Sequence, residues 1–321
     1  MPPMIETLSS NLLVPTILFF VLGLLAALVR SDLSIPAGAA KFMSLYLLLA
    51  IGFKGGNSVA AHGLQPELFL TICAGVLLSF ALPFVAFALL RATTRLDALN
   101  AAAVAGHYGS ISIVTYVAAV SLLDRAGIAS DGYMVAVAAA MEVPAILSAL
   151  WIAHRFAGDG KTAAVPLREL LANGSIVLLV GAFVIGVVTQ DKGMQMLAPL
   201  IVTPFTGTLC LFLLDLGLTA GRSLMQNRHL LSGGLFAFGV VMPLIGAALA
   251  WVCGWAIGLE ADNYFLLTVL AASASYIAVP AAMRIALPQA QPSIYLTLSL
   301  GVTFPFNITV GLPLYLWLSG V

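Results

Sequence analysis

The feature that most limits what this chain can fold into is a series of apolar runs, each about as long as a bilayer is thick. Divided at charge clusters and Gly/Pro breaks, the sequence gives ten of them, at 11–29, 36–53, 67–90, 98–121, 132–154, 173–189, 197–218, 230–257, 263–285 and 292–318. A spanning helix needs about 20 predominantly apolar residues. Of the 321 residues, 61% are hydrophobic and 8% charged, whereas a soluble domain carries about 25% charged residues. Mean hydropathy is +1.09. An all-α integral membrane protein with ten transmembrane helices is expected. No basic residue precedes the first run and no small-residue cleavage site follows it, so 11–29 is expected as a retained helix and not a signal peptide. Cys73, Cys210 and Cys253 all lie inside apolar runs, where packing is the commoner role. The formal net charge of zero gives no reason to expect a nucleic-acid partner.

The basic residues set an orientation. Connections between spans 1–2, 3–4, 5–6, 7–8 and 9–10 hold Arg30, Lys41, Arg91, Arg95, Arg155, Lys161, Arg168, Arg222, Arg228 and Arg284, and the opposite side holds Lys54, Arg125 and Lys192. Cytoplasmic loops carry the excess of Lys and Arg. Both termini are therefore expected outside. The polar stretch 155–172 is expected as a cytoplasmic linker near the midpoint.

The two halves resemble each other. Leu47–Val59 (LLLAIGFKGGNSV) aligns with Phe212–Leu224 (FLLDLGLTAGRSL), pairing Gly52, Gly56 and Ser58 with Gly217, Gly221 and Ser223. Pro83 and Pro243 lie mid-span in spans three and eight. Ser110-Ile-Ser112 in span four matches Ser273-Ala-Ser275 in span nine, and Glu142-Val-Pro144 matches Phe304-Pro305-Phe306-Asn307. Five spans per half is an odd number, so residues 1–154 and 173–321 form a five-plus-five inverted repeat in this reading. Inverted repeats with helices interrupted at corresponding positions point to secondary transporters, with the site where the breaks meet.

Spans four and nine are the expected interrupted helices. Gly106, Gly109, Ser110, Ser112 and Thr115 crowd the first; Ser273, Ser275, Tyr276 and Pro280 crowd the second. Irregular backbone at membrane depth survives only where protein or a water-lined cavity satisfies it. Two half-helix N-termini facing one point suit a small anion, and freed carbonyls and hydroxyls suit a hard cation. Glu142, mid-span in AAAMEVPAIL, is costly in lipid and is expected to face the interior. Asp215 lies nearer a helix end, His107 has no partner at metal-ligand spacing, and Asn307 offers an amide beside Pro305. No G-x-S-x-G, H-E-x-x-H, Walker lysine or Rossmann fingerprint is present, so no enzyme activity and no organic cofactor are expected.

These residues resemble the sodium-dependent bicarbonate transporter family known from cyanobacteria. Leu270–Tyr315 is similar to the family's Ala-Ala-Ser-Ser-Ser segment with its following Pro, Arg and Pro-Ser-x-Asn-Pro-Ser-x-Tyr. Met141-Glu142-Val143-Pro144-Ala145 is similar to its Met-Asp-Ile-Pro-Ala, Gly109–Ser112 with Thr115 to its Gly-Ala-Val-Ser and Thr, and Gly52–Gly56 to its Gly-Leu-Thr-Gly-Gly. The resemblance implies a homotrimer in a bacterial inner membrane, with both termini periplasmic, and Na⁺-coupled bicarbonate uptake. It implies an anion site at Ser110, Ser112, Thr115, Ser273 and Ser275, to which Gly109 and Tyr276 are added as neighbours. It implies a cation-side carboxylate at Glu142; Ser112, Ser275, Thr303 and Asn307 complete the expected cation set, with no metal beyond Na⁺. Two departures stand out. Where the family continues Asp-Ile-Ser-Gly-Pro-Pro, this chain has Tyr276-Ile277-Ala278-Val279-Pro280-Ala281. The central loop is also shorter than in many cyanobacterial members, where a small PII-like regulator binds. A cation-coupled carrier of another small organic anion, a passive anion channel and a non-transporting sensor remain alternatives.

Overall fold

A computed structural model describes residues 14–63, 66–157 and 174–320. Most of the expected linker, with Lys161 and Arg168, therefore lies outside the described residues. The described chain is helical throughout: α1 (Pro15–Leu28), α2 (Ala37–His62), α3 (Pro66–Thr93), α4 (Ala98–Gly109), α5 (Ile113–Arg125), α6 (Met134–Ala140), α7 (Glu142–Phe156), α8 (Gly174–Ile201), α9 (Phe205–Asn227), α10 (Gly233–Ile257), α11 (Ala261–Ala272), α12 (Ala278–Ala286) and a final rod, α13 (292–318). The rod carries two wide π turns, Thr297–Thr303 and Asn307–Gly311.

Eight helical stretches among the described residues are long and apolar enough to cross a membrane. Of the expected span one, residues 11–13 lie outside the described residues, and the described part is a 14-residue helix; span nine is split into pieces of 12 and 9 residues. Span six ends where expected: Gln190 leaves helical geometry (φ 50°, ψ −148°) and kinks α8 into two helices, 174–189 and 191–201. The edge of span seven differs from expectation, since its helix begins at Phe205, not 197.

The helices sort into two groups by their packing. In one, α2 runs along α8 and α1 along α9. These seams are paved with glycine: a methyl group on Gly52, Gly56, Gly186, Gly23 or Gly217 would overlap backbone atoms of the facing helix, so the backbones touch directly. Gly56 meets the Phe183 carbonyl and Val187 amide, as Gly217 meets the Phe20 carbonyl and Leu24 amide. In the other group, α3 packs on α4 and α7, α10 on α11, and α3 on α10. The α4–α5 stretch lies deepest, and the most apolar 18-residue window of that span is buried throughout. A broken helix is tolerable there because protein, not lipid, surrounds it.

We expect Gly56→Leu to destabilise the protein by about 1–3 kcal/mol through overpacking. Gly181→Leu, where a side chain meets nothing, should be neutral. Thermal unfolding of the purified protein in detergent compares the two.

Candidate functional site

Both expected breaks are present, and their geometry repeats. Helix α4 ends at Gly109 and Ser110 turns extended (φ −86°, ψ 168°). Helix α11 ends at Ala272 and Ser273 does the same (φ −93°, ψ 164°). Gly109 sits where it does because a side chain there would strike the ring of Pro83 on α3. Ser112 starts the next half-helix: its hydroxyl accepts from Thr115 N (3.2 Å) and from Thr115 Oγ1 (2.9 Å). On the other side Pro280 is the third residue of α12, so its missing N–H falls among the donors a helix start leaves unpaired anyway.

The breaks bond each other. Ser112 N donates to Ser273 Oγ (2.8 Å), and Ser275 N donates to the His107 carbonyl (2.7 Å). Ser273 Oγ donates in turn to Leu270 O (2.8 Å). His107 thus contributes its backbone. Its imidazole Nδ1 lies 2.7 Å from Ala103 O, its ring stacks on Tyr295, and its buried Nε2 has no partner among the described residues.

Glu142 is brought to this junction by a third irregularity, at Met141 between α6 and α7. Pro144 removes one ladder donor there. Ser79 of α3 fills the next rung: its hydroxyl donates to Met141 O (2.5 Å) and accepts from Ala145 N (3.2 Å). A hydroxyl inserted into the i→i−4 ladder disturbs a helix, and the interruption at Met141 falls beside Glu142. Ser110 Oγ donates to Glu142 Oε2 (2.7 Å). Glu142 is 7% exposed, without a lysine or arginine against its carboxylate among the described residues.

A narrow cleft opens at the junction, lined on one side by Ser112, Ile113, Glu142, Ser275, Tyr276 and Ile277, and on the other by Leu48 of α2 and the start of α8. About 20 Å³ of it admits a water-sized sphere, enough for about one water. The Tyr276 hydroxyl is buried beside Ser112 without closing a hydrogen bond of acceptable geometry, and its ring is fixed edge-on against Phe304 at 5.2 Å.

Ser110, Ser112, Ser273, Ser275, Thr115, Tyr276 and Glu142 are thus gathered within one set of contacts. Gly109 serves packing at its edge. Thr303 and Asn307 stand apart from the cleft. Thr303 Oγ1 donates to Gly239 O (2.6 Å) and meets the Tyr108 hydroxyl (2.7 Å). Asn307 Nδ2 donates to Ala272 O at the end of α11 (2.8 Å), and its Oδ1 accepts from Tyr315 (3.0 Å). Ser79 gives no signal in the sequence: one serine before a mid-span proline does not show which neighbouring ladder it enters.

Such a junction belongs to polytopic carriers with broken, facing helices. The chain belongs to the Na⁺-dependent bicarbonate transporter superfamily, whose model matches residues 15–320. A comparison with curated proteins returned no match.

Ser79→Ala should cost about 1–3 kcal/mol by leaving Met141 O and Ala145 N without partners. Thermal unfolding of the purified protein in detergent measures the effect.

Proposed function

We propose that this protein is a secondary transporter that takes up bicarbonate with Na⁺ by alternating access. The observation that carries this reading is the mutual bonding of the two Ser-x-Ser breaks over a cleft that also holds Glu142. The start of α5 turns two kinds of anion-attracting group toward the cleft, hydroxyls and the end of a helix dipole, and the start of α12 borders it too. The anion is assigned to Ser112, Ser275 and Tyr276, with Ser110, Ser273 and Thr115 shaping the walls. The cation is assigned beside Glu142, whose charge needs an opposite one when an anion occupies the same confined space. Thr303 and Asn307 then act on the cation indirectly, by holding the end of α11 and the final rod.

The cleft's size supports a moving mechanism. Space for one water does not admit a four-atom oxyanion, so loading requires the walls to part. The walls come from the two packing groups, α1–α2–α8–α9 and the break-bearing helices. Exchange of the halves maps the α2–α8 seam onto the α9–α1 seam, which favours the inverted repeat and the ten-span topology. In this reading the termini are periplasmic, the membrane is the bacterial inner membrane, and three copies assemble. The apolar outer face of α8, with Val177, Val184 and Val188 exposed, is open to lipid or to a neighbouring copy. The surface expected to meet a PII-like regulator lies outside the described residues.

Labelled bicarbonate uptake into proteoliposomes tests the proposal. Accumulation above equilibrium that requires an inward Na⁺ gradient is expected. Equilibration without accumulation would make the protein a channel, and a proton gradient replacing Na⁺ would change the coupling ion. Ser112→Ala and Ser275→Ala should each raise the KM for bicarbonate roughly tenfold, the loss of one hydrogen bond to an anion, with the fold intact by gel filtration. Normal KM values in both would remove the site assignment. Glu142→Gln should weaken Na⁺ activation by roughly tenfold while moving the bicarbonate KM less; the reverse pattern would transfer Glu142 to the anion.

A further inference from the structure

A second cavity lies on the same seam between the two packing groups. It has a volume of about 190 Å³ and is lined by Ile51, Lys54 and Ser58 of α2, by Tyr116, Val120 and Asp124 of α5, and by the loop through Asp131. The two spaces follow one another along the same pair of helices. On α2, Leu48 lines the cleft and Ile51 the cavity, one turn on. On α5, Ile113 lines the cleft and Tyr116 the cavity, again one turn on. At 1.5 Å per residue, Lys54 stands about 9 Å beyond Leu48.

The mouth of this cavity holds an ion pair: Lys54 Nζ lies 3.2 Å from Asp124 Oδ2, and it is the one salt bridge among the described residues. It joins α2 to α5, helices of the two groups whose separation loading would require. Lys54 is further held over the ring of Phe205 at 5.3 Å. The cleft, by contrast, is bordered by Ser175 and Ile176 at the start of α8, which the orientation set by the basic residues puts at the cytoplasmic end. Lys54 and Asp124 lie toward the opposite end of their helices.

We propose that this cavity is the outer vestibule of the ion path, and that the Lys54–Asp124 pair is the latch that closes it in the conformation described here. The latch rests on the transporter reading above. Opening α2 from α5 breaks the pair and joins vestibule to cleft; re-forming it shuts the outer side. Both side chains are partly exposed, at 29% and 45%, so the pair tips a conformational balance by a modest factor and does not lock it.

The test follows a thiol on the vestibule wall. Val120→Cys, in a full-length protein whose Cys73, Cys210 and Cys253 are changed to alanine, is labelled in intact cells with membrane-impermeant thiol reagents. One reagent is cationic and one anionic, so that a local change in potential is separated from a change in access. Slow labelling is expected with the latch intact. Lys54→Gln and Asp124→Asn should each speed labelling by both reagents about two- to fivefold, the range that an exposed ion pair supports. The exchange Lys54→Asp with Asp124→Lys should restore slow labelling. Equal rates in all variants would overturn the latch. So would an exchange variant as fast as the single ones, or acceleration confined to one reagent charge. Gel filtration confirms folding, and Lys54→Arg, which keeps the pair, should label slowly. Labelling needs no substrate. Expected labelling without Na⁺-driven bicarbonate uptake sinks the substrate reading and leaves the latch; normal uptake with insensitive labelling sinks the latch alone.

Discussion

An amide or carbonyl left without a partner at membrane depth costs several kcal/mol, and the structure is organised around avoiding that cost at two places where the helix stops. The solution is reciprocal. Ser112 N reaches the hydroxyl of Ser273, and Ser275 N reaches the carbonyl of His107. Each break supplies what the other lacks, so neither can keep its form alone. This mutual dependence requires α4–α5 and α11–α12 to meet closely at the centre of the molecule, and the neighbouring packing follows from it. Pro83 seats against Gly109, and Asn307 holds the last carbonyl of α11.

The same economy of donors explains Glu142. Its position depends on a ladder opened at Met141 and repaired by Ser79 from a neighbouring helix. A proline alone would leave the interruption loosely defined. The inserted hydroxyl fixes its position, and the Ser110 bond then fixes the carboxylate. Ser110 thereby ties the interruption at Met141 to the break after α4, and Ser273 ties that break to the one after α11.

Much of this is legible in the sequence, and for a definite reason. Polar residues inside apolar runs are conspicuous, so Ser110, Ser112, Ser273, Ser275 and Glu142 stand out by residue type and position alone. What is not legible depends on register between helices. The sequence alignment pairs Gly52 with Gly217 and Gly56 with Gly221. The equivalent backbone contacts instead pair Gly56 with Gly217 and Gly23 with Gly186, one helical turn away. Regularly spaced glycines permit either alignment, and only the facing helix decides. Thr303 and Asn307 join the expected cation set by residue type alone, while the rod that carries them turns both toward backbone carbonyls. The kink at Gln190 is legible by contrast, because the polar Gln190-Asp191-Lys192 closes an apolar run.

Among the described residues, no lysine or arginine lines the cleft. Whatever pull it exerts on an anion comes from hydroxyls and helix ends, whose combined strength depends on both being aimed at one point. A fixed cation would hold its partner wherever the walls stood. In the proposed reading, a small rotation of one wall would spread the donors apart and weaken the attraction, so that grip and release would be two settings of one backbone geometry.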